Sequence, residues 1–328
     1  MNSLIDRYNR KINYLRISVT DRCDLKCIYC IPKDSDIHSE RMELLQFEEI
    51  YRIVRCFANL GVNHLRITGG EPLLRKGIVS LIKQLSSIEG IVDLAMTTNA
   101  TTLSQYAMDL KGAGLNRVNI SIDTLKPETF KIISRGGKLE DVLNGIRTAI
   151  DAGLTPVNLN TVVMKGLNDG ELTDMINFAI ENMVNIRFIE CMPVSRHSNL
   201  GKDRFISAKE IKLKIENYFK LEPVPSFGGG PALYFRIKGA PTKIGLITPV
   251  TQHFCESCNR VRLTADGILK LCLGQKDRID LKEYIHSGAS DETLQEIIVG
   301  AIQNKPAGHN FSSGKCIPIE KPMSMIGG

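Results

Sequence analysis

Cys23, Cys27 and Cys30 fall within the run Cys23-Asp24-Leu25-Lys26-Cys27-Ile28-Tyr29-Cys30, a C-x3-C-x2-C loop. Thiolates at this spacing can converge on one metal centre, and soft sulfur ligands select zinc or an iron–sulfur cluster. Three protein ligands leave a metal position open, either on one iron of a four-iron cube or as the substrate position of a catalytic zinc. A structural zinc that borrows His38 is the alternative, and a redox thiol pair is a further one. A second triad, Cys255, Cys258 and Cys272, has the spacing C-x2-C-x13-C. A zinc ribbon wants a fourth cysteine in a second close pair, and none follows. Spacing alone leaves open an iron–sulfur cluster or a zinc completed by His253. Arg260 and Arg262 come directly after the second triad at i and i+2, so on a strand they share one face.

These groups need a scaffold, and the order of elements supplies one. Strand-like runs at 15–20, 64–68, 92–97, 117–122, 157–164 and 185–192 alternate with helix-period segments such as FEEIYRIVRCFANLG, stopped at Gly61, and LEDVLNGIRTAIDAG, stopped at Gly153. Six β-then-α units imply parallel strands with right-handed crossovers. The expected fold is α/β, a partial (β/α)6 TIM-like barrel, since six units are fewer than the eight that close one. Loops at the carboxyl ends of such strands build active sites. The first triad lies on that rim, as do Thr68-Gly69-Gly70-Glu71-Pro72, Thr97-Thr98-Asn99, Ser121-Ile122-Asp123 and Glu190-Cys191-Met192. The glycines would let a ligand approach the backbone closely and Glu71 would supply a carboxylate.

Proline and glycine accumulate around 223–231, which reads as a linker, dividing the chain into a core at 1–223 and a C-terminal cluster-bearing and substrate-binding extension at 224–328. In the extension, LYFRI, KIGLIT and RVRLTADGILKLCL read as short strands with a hairpin turn at 265–267, followed by helices near 280–286 and 291–304.

Apolar residues make up 43% and charged residues 24% of the 328 residues, so a core can be buried and wholesale disorder is excluded. No apolar run is long enough to span a bilayer, and the N-terminal stretch is dotted with charge where a signal peptide would be apolar. A cytoplasmic protein is expected, with no membrane or nucleic-acid partner. Lys plus Arg exceed Asp plus Glu by 42 to 36, a surplus that suits a local anion site better than a dedicated nucleic-acid surface. A cytosolic chain keeps its thiols reduced, so clustered cysteines point to metal or redox chemistry. Cys56 reads as a core residue, Cys191 as packing beside Met192, and Cys316 has no assigned role.

The C-x3-C-x2-C loop with Tyr29 before its last cysteine, followed after the next strand by Gly-Gly-Glu-Pro, resembles the radical S-adenosylmethionine (SAM) superfamily. Adding HFCESCNRVRLTADGILKLCL and the terminal Gly327-Gly328, the chain resembles, over essentially its whole length, the GTP 3′,8-cyclase family of molybdenum cofactor biosynthesis. The resemblance implies two [4Fe-4S] clusters, one on Cys23, Cys27 and Cys30 that binds SAM, the other on Cys255, Cys258 and Cys272 that faces the substrate. It implies SAM contacts from Tyr29, Gly70, Ser121 and Met192. It also implies GTP contacts from Arg16, Arg66, Thr97, Asn158, Arg260 and Arg262, with Arg187 joining them and the Gly-Gly tail reaching into the site. The implied reaction cyclises GTP by joining its C3′ to C8. An electron donor such as flavodoxin or ferredoxin would supply it, and a cyclic pyranopterin monophosphate synthase would take its product, with the enzyme a homodimer or monomer. A peptide-modifying radical SAM enzyme with an auxiliary cluster is the alternative within the superfamily, and a zinc-binding, RNA-contacting module the alternative outside it. One departure stands out: that family has a lysine on strand five where this chain has Asn158. A neutral hydrogen bond contributes about 1 kcal/mol against roughly 1.5–3 for a charge-assisted one. GTP binding is therefore expected to weaken by roughly tenfold, unless Lys165 or another cation compensates.

Overall fold

The computed structural model describes residues 3–31, 43–192, 203–225, 230–252, 254–275, 278–309, 311 and 323–327. His38, His253, Cys316 and Gly328 lie outside them. Six strands, β1 (Tyr14–Ser18), β2 (His64–Thr68), β3 (Asp93–Thr98), β4 (Arg117–Ser121), β5 (Asn158–Val163) and β6 (Asn185–Glu190), pair in chain order and in parallel. Helices α1 (Phe47–Asn59), α2 (Ile78–Ser86), α3 (Ala107–Gly112), α4 (Pro127–Ser134), α5 (Leu139–Asp151) and α6 (Leu172–Glu181) fall between these strands.

The period of each element explains its placement. In β1, Leu15 and Ile17 are fully buried in the main core, while the alternate residues Tyr14 and Arg16 line an internal cavity. In α1, Ile50, Ile53, Val54 and Phe57 recur at helical spacing and are buried, with Gln46 and Glu49 forming a reciprocal capping box at its start. Cys56 is buried on the same helix, as its place in the apolar pattern implied, with its sulfur 3.8 Å from the Asp291 carbonyl.

The C-terminal region joins the same sheet. β7 (Leu221–Val224), β8 (Leu233–Ile237), β9 (Lys243–Ile247), β10 (Arg260–Leu263), β11 (Ile268–Lys270) and β12 (Arg278–Asp280) complete a twelve-stranded order β12-β11-β10-β1-β2-β3-β4-β5-β6-β9-β8-β7 among the described residues. β10 pairs in parallel with β1 and β9 in parallel with β6, so eight strands rather than six run parallel. The expected division after residue 223 falls inside β7. The reason for this continuity lies in the edges, since β1 and β6 would otherwise present unpaired backbone groups. The hairpin at Ala265–Gly267 forms as expected, with β10 and β11 antiparallel across it. The helix Asp291–Gln303 packs on α1, with Asp291 bridged to Arg52 at 2.6 Å. No helix among the described residues is long and apolar enough to cross a membrane.

Candidate active site

Parallel register sorts the inward side chains into layers. Tyr14 stands opposite Arg260 and His64, and one pleat further on Arg16 stands opposite Arg262 and Arg66. A separate layer runs through Thr97, Asn119, Asn158 and Asn185, of which Thr97, Asn158 and Asn185 reach the cavity. These layers wall a cavity of about 550 Å³. The first triad follows the carboxyl end of β1. Cys255 and Cys258 precede the start of β10, which runs parallel to β1, so the two triads belong to opposite ends of the strands. All sixteen residues that the sequence nominated for cluster, SAM or GTP contacts line this one cavity, and so does Arg187.

The loop of the first triad is held by the loops after β2 and β3. Gly70 N–H donates to the Thr20 carbonyl at 2.8 Å and Glu71 N–H to the Arg22 carbonyl at 2.7 Å. A Cβ on Gly69 would lie 2.7 Å from the Thr20 oxygen, and one on Gly70 would collide with the Arg22 carbonyl. The glycines thus admit the neighbouring backbone. Glu71 does not face the cavity: its carboxylate turns inward, accepting from Thr98 Oγ1 and Asn99 N, each at 2.7 Å, and from Leu73 N at 3.1 Å. Burial pushes its carboxyl up to about 7 despite these donors. Asn99 Nδ2 donates to Asp24 at 2.7 Å and lies 3.8 Å from the Cys23 sulfur. Tyr29 donates its hydroxyl to Asp123 at 2.8 Å, and Asp123 also accepts from Val162 N at 2.8 Å. Burial raises the Asp123 carboxyl to about 6. Burial also raises the Cys23 and Cys27 thiols, with nearby carboxylates adding to the effect.

Between the triads lies a row of guanidiniums. Arg16 and Arg66 are held below their ordinary pKa by burial, Arg16 further by Arg262. Burial and the neighbouring Arg260 bring Arg262 down to about 10. Among the described residues Arg66, Arg260 and Arg262 form no salt bridge, and Arg66 Nε has no hydrogen-bond partner. Arg117, by contrast, is committed to Asp93 through bonds of 2.9 and 2.6 Å. A row of buried, mutually repelling cations is relieved by a polyanion. Arg262 also donates to the carbonyl of Gly327, which sits against Ser18 and Thr68, so the described part of the tail does reach the cavity.

Sequence reasoning missed several lining groups. Tyr14 shares the inward face of Arg16 by its i, i−2 spacing, a signal present in the sequence. Its phenol is raised by burial, but Arg66, Arg16, Arg117 and Arg260 outweigh this and bring it below the ordinary value. Lys243, Lys270, Lys305 and Arg10 come to the wall from distant segments. Arg10 bridges Asp6 at 2.6 Å and donates to the carbonyls of Cys255, Pro306 and Ala307, fastening the second triad's loop. Asn158 lines the cavity with its amide donating to Pro156 O at 3.1 Å and accepting from Asn185 at 3.2 Å. Lys165, the suggested substitute cation, does not line it, whereas Lys243 does.

Six thiols at the two ends of one cavity, with a row of guanidiniums between them, suit soft metal centres and an anionic ligand. Among the described residues no three His, Cys, Asp or Glu side chains close on a point fit for a single ion. Iron–sulfur clusters are wider than one ion and tolerate such a spread.

Comparison with known proteins identifies the family. The family described as "Radical SAM superfamily" matches residues 17–179 and "Molybdenum Cofactor Synthesis C" matches 184–311. The chain is 47% identical to GTP 3′,8-cyclase of Hydrogenovibrio crunogenus, covering 94% of this chain and 95% of that one. It is 46% identical to GTP 3′,8-cyclase of Peptoclostridium acidaminophilum, covering 99% and 98%. In fold it resembles Streptococcus suis SuiB bound to S-adenosylmethionine, with a TM-score of 0.66 at 15% identity, covering 89% of this chain and 69% of that one. With identity sustained at this level across the whole length, the chain belongs to the GTP 3′,8-cyclase family of radical SAM enzymes.

Proposed function

We propose that this chain converts GTP to (8S)-3′,8-cyclo-7,8-dihydroguanosine 5′-triphosphate, the first step of molybdenum cofactor biosynthesis, with each triad holding a [4Fe-4S] cluster. The observation that carries this reading is the meeting of both triads and a row of buried arginines in one cavity. A cluster held by Cys23, Cys27 and Cys30 would, with SAM bound, supply the one-electron reduction and the radical chemistry that the ribose 3′ carbon requires.

The protein's own part is positioning. Cys23, Cys27 and Cys30 hold the SAM-binding cluster, with Tyr29 fixed by Asp123, and Gly70, Ser121 and Met192 complete the SAM contacts. Arg16, Arg66 and Arg262 grip the triphosphate, with Thr97, Asn158 and Arg260 beside them. The second cluster, on Cys255, Cys258 and Cys272, faces the guanine. Holding C3′ against C8 within one dry cavity converts an encounter between reactive centres into a fixed geometry and keeps water from the radical. The enzyme works in the cytoplasm as a monomer or homodimer, takes electrons from a flavodoxin or ferredoxin and passes its product to cyclic pyranopterin monophosphate synthase.

Anaerobic incubation with GTP, SAM and dithionite, read by mass spectrometry, is expected to yield 5′-deoxyadenosine and an isomer of GTP. Absence of both from protein with loaded clusters sinks the assignment. Cys27→Ala is expected to abolish SAM cleavage, whereas Cys258→Ala impairs GTP turnover more than SAM cleavage; the reverse pattern exchanges the two roles.

A further inference from the structure

The two triads stand in opposite electrostatic surroundings. The buried charged side chains beside the first are carboxylates, Glu71 behind Asn99 and Asp123, which holds Tyr29 between Cys27 and Cys30. On the exposed side of the loop Asp24, joined to Asn99 beside the Cys23 sulfur, is flanked by Arg22 and Lys26. Arg135 approaches there, but its Nη1 is spent on the Ile31 carbonyl at 3.0 Å.

Beside the second triad the exposed Glu256 lies in the loop itself, but the charges turned inward are cationic, and one of them is exceptional. Lys305 is only 2% exposed and lines the cavity alongside Cys255, Cys258 and Cys272. Its Nζ donates to the carbonyl of Leu271, the residue preceding Cys272, at 2.5 Å. Among the described residues it forms no salt bridge. Arg10 is balanced by Asp6, and Arg260 lies over the Phe254 ring at 5.0 Å from its centroid. A buried ammonium without a counter-anion costs more than one hydrogen bond returns, so this lysine implies an anion beside it. The thiolates of the second triad are the anionic groups its position offers.

We propose that Lys305 is the buried counter-cation of the iron–sulfur centre on Cys255, Cys258 and Cys272, making that centre easier to reduce than the one on Cys23, Cys27 and Cys30. The proposal rests on the cluster reading of the second triad given above. One added electron makes a centre one charge more negative, with no bond formed and no proton moved. A fixed ammonium stabilises that reduced state, and fixed carboxylates destabilise it, because cluster potentials follow local charge. An electron delivered to the first centre then meets no empty acceptor at the other end of the cavity.

The test is an anaerobic dithionite titration of the reconstituted full chain, following each centre by electron paramagnetic resonance, with Cys27→Ala and Cys258→Ala proteins identifying the two signals. In the wild type the second centre is expected to reduce first. Lys305→Gln keeps an N–H for the Leu271 carbonyl but removes the charge. It is expected to shift the oxidised-to-reduced ratio of the second centre tenfold or more, about 59 mV for one electron, and to leave the first centre unmoved. Lys305→Arg restores the wild-type midpoint. A Lys305→Gln protein whose second midpoint is unchanged, or whose two midpoints fall together, overturns the proposal. If Lys305→Gln fails to hold the second centre, iron content in Lys305→Arg decides: retention supports the charge, and loss in both variants shows a packing role and overturns it. Wild-type protein lacking iron at the second triad overturns the cluster reading, and this proposal with it.

Discussion

Arg16, Arg66 and Arg262 lie abreast on three adjacent parallel strands, and their repulsion makes the cavity wait for an anion. At the far side of the same wall Asn158 offers only an amide. Asn158→Lys is expected to tighten GTP roughly tenfold, the difference between a neutral and a charge-assisted hydrogen bond. Equilibrium binding of GTP to the anaerobic protein measures this, and unchanged affinity would show that Lys243 already fills the role. Asp123 carries a pH prediction. Its folded value of about 6 exceeds the ordinary 3.8, so the folded chain holds this proton more tightly than the unfolded one. The stability it contributes is full below about pH 4 and is lost as pH rises through about 6. Urea midpoints of the cluster-free protein should fall across that window and flatten in Asp123→Asn; a midpoint that rises instead contradicts the assignment. The cysteine triads were readable from type and spacing, and the remaining nominated residues from the family resemblance their motifs carry. The direction of Glu71 was not, since a carboxylate after Gly-Gly can turn either to the ligand or to Thr98 and Asn99.

The cysteine loop and the Gly-Gly-Glu-Pro loop behave as one unit, because the Thr20 and Arg22 carbonyls accept from Gly70 and Glu71. Gly70→Ala is expected to force the loops apart, at a cost of about 1–3 kcal/mol for the added methyl group. Iron should be lost from the first centre and kept by the second. Full iron content with SAM cleavage intact would show that the loops can yield. The six strands of the parallel core were legible: His64–Thr68 falls where its β-rich run lies and the others differ by a residue or two at their ends, whereas Leu221–Val224 and Arg278–Asp280 were not read as strands. The pairing of β9 and β10 was not, because a short amphipathic strand fits an edge of any sheet and only the partner's location selects one.

In the molecule as a whole, the first half lends its two outer strands to the second. β1 takes β10 and β6 takes β9, so cutting after residue 223 bares both flanks of the parallel sheet. The fragment 1–223 is expected to aggregate rather than unfold cooperatively as a monomer. A monomeric fragment with a sharp urea transition would mean that the core at 1–223 stands alone. The same joining of halves brings Arg260, Arg262 and the second triad to the inner face of β1, which no property of either half alone would do.

Residue types and spacing narrowed the chemistry to soft metal centres beside an anion site, and the family resemblance that the same motifs carry chose between zinc and iron–sulfur. Soft ligands in threes, glycines at a strand end and arginines at i, i+2 are local patterns, and local patterns survive without a fold. The six-unit rhythm likewise determined the parallel core, since period and element length are written along the chain. What only the tertiary structure decided is what meets across long separations: Arg10 on the loop of Cys255, Lys305 beside Cys272, Gly327 under Arg262, and a cavity with carboxylates around one triad and cations around the other. Charge acts through space at a distance set by packing, and sequence separation does not report that distance.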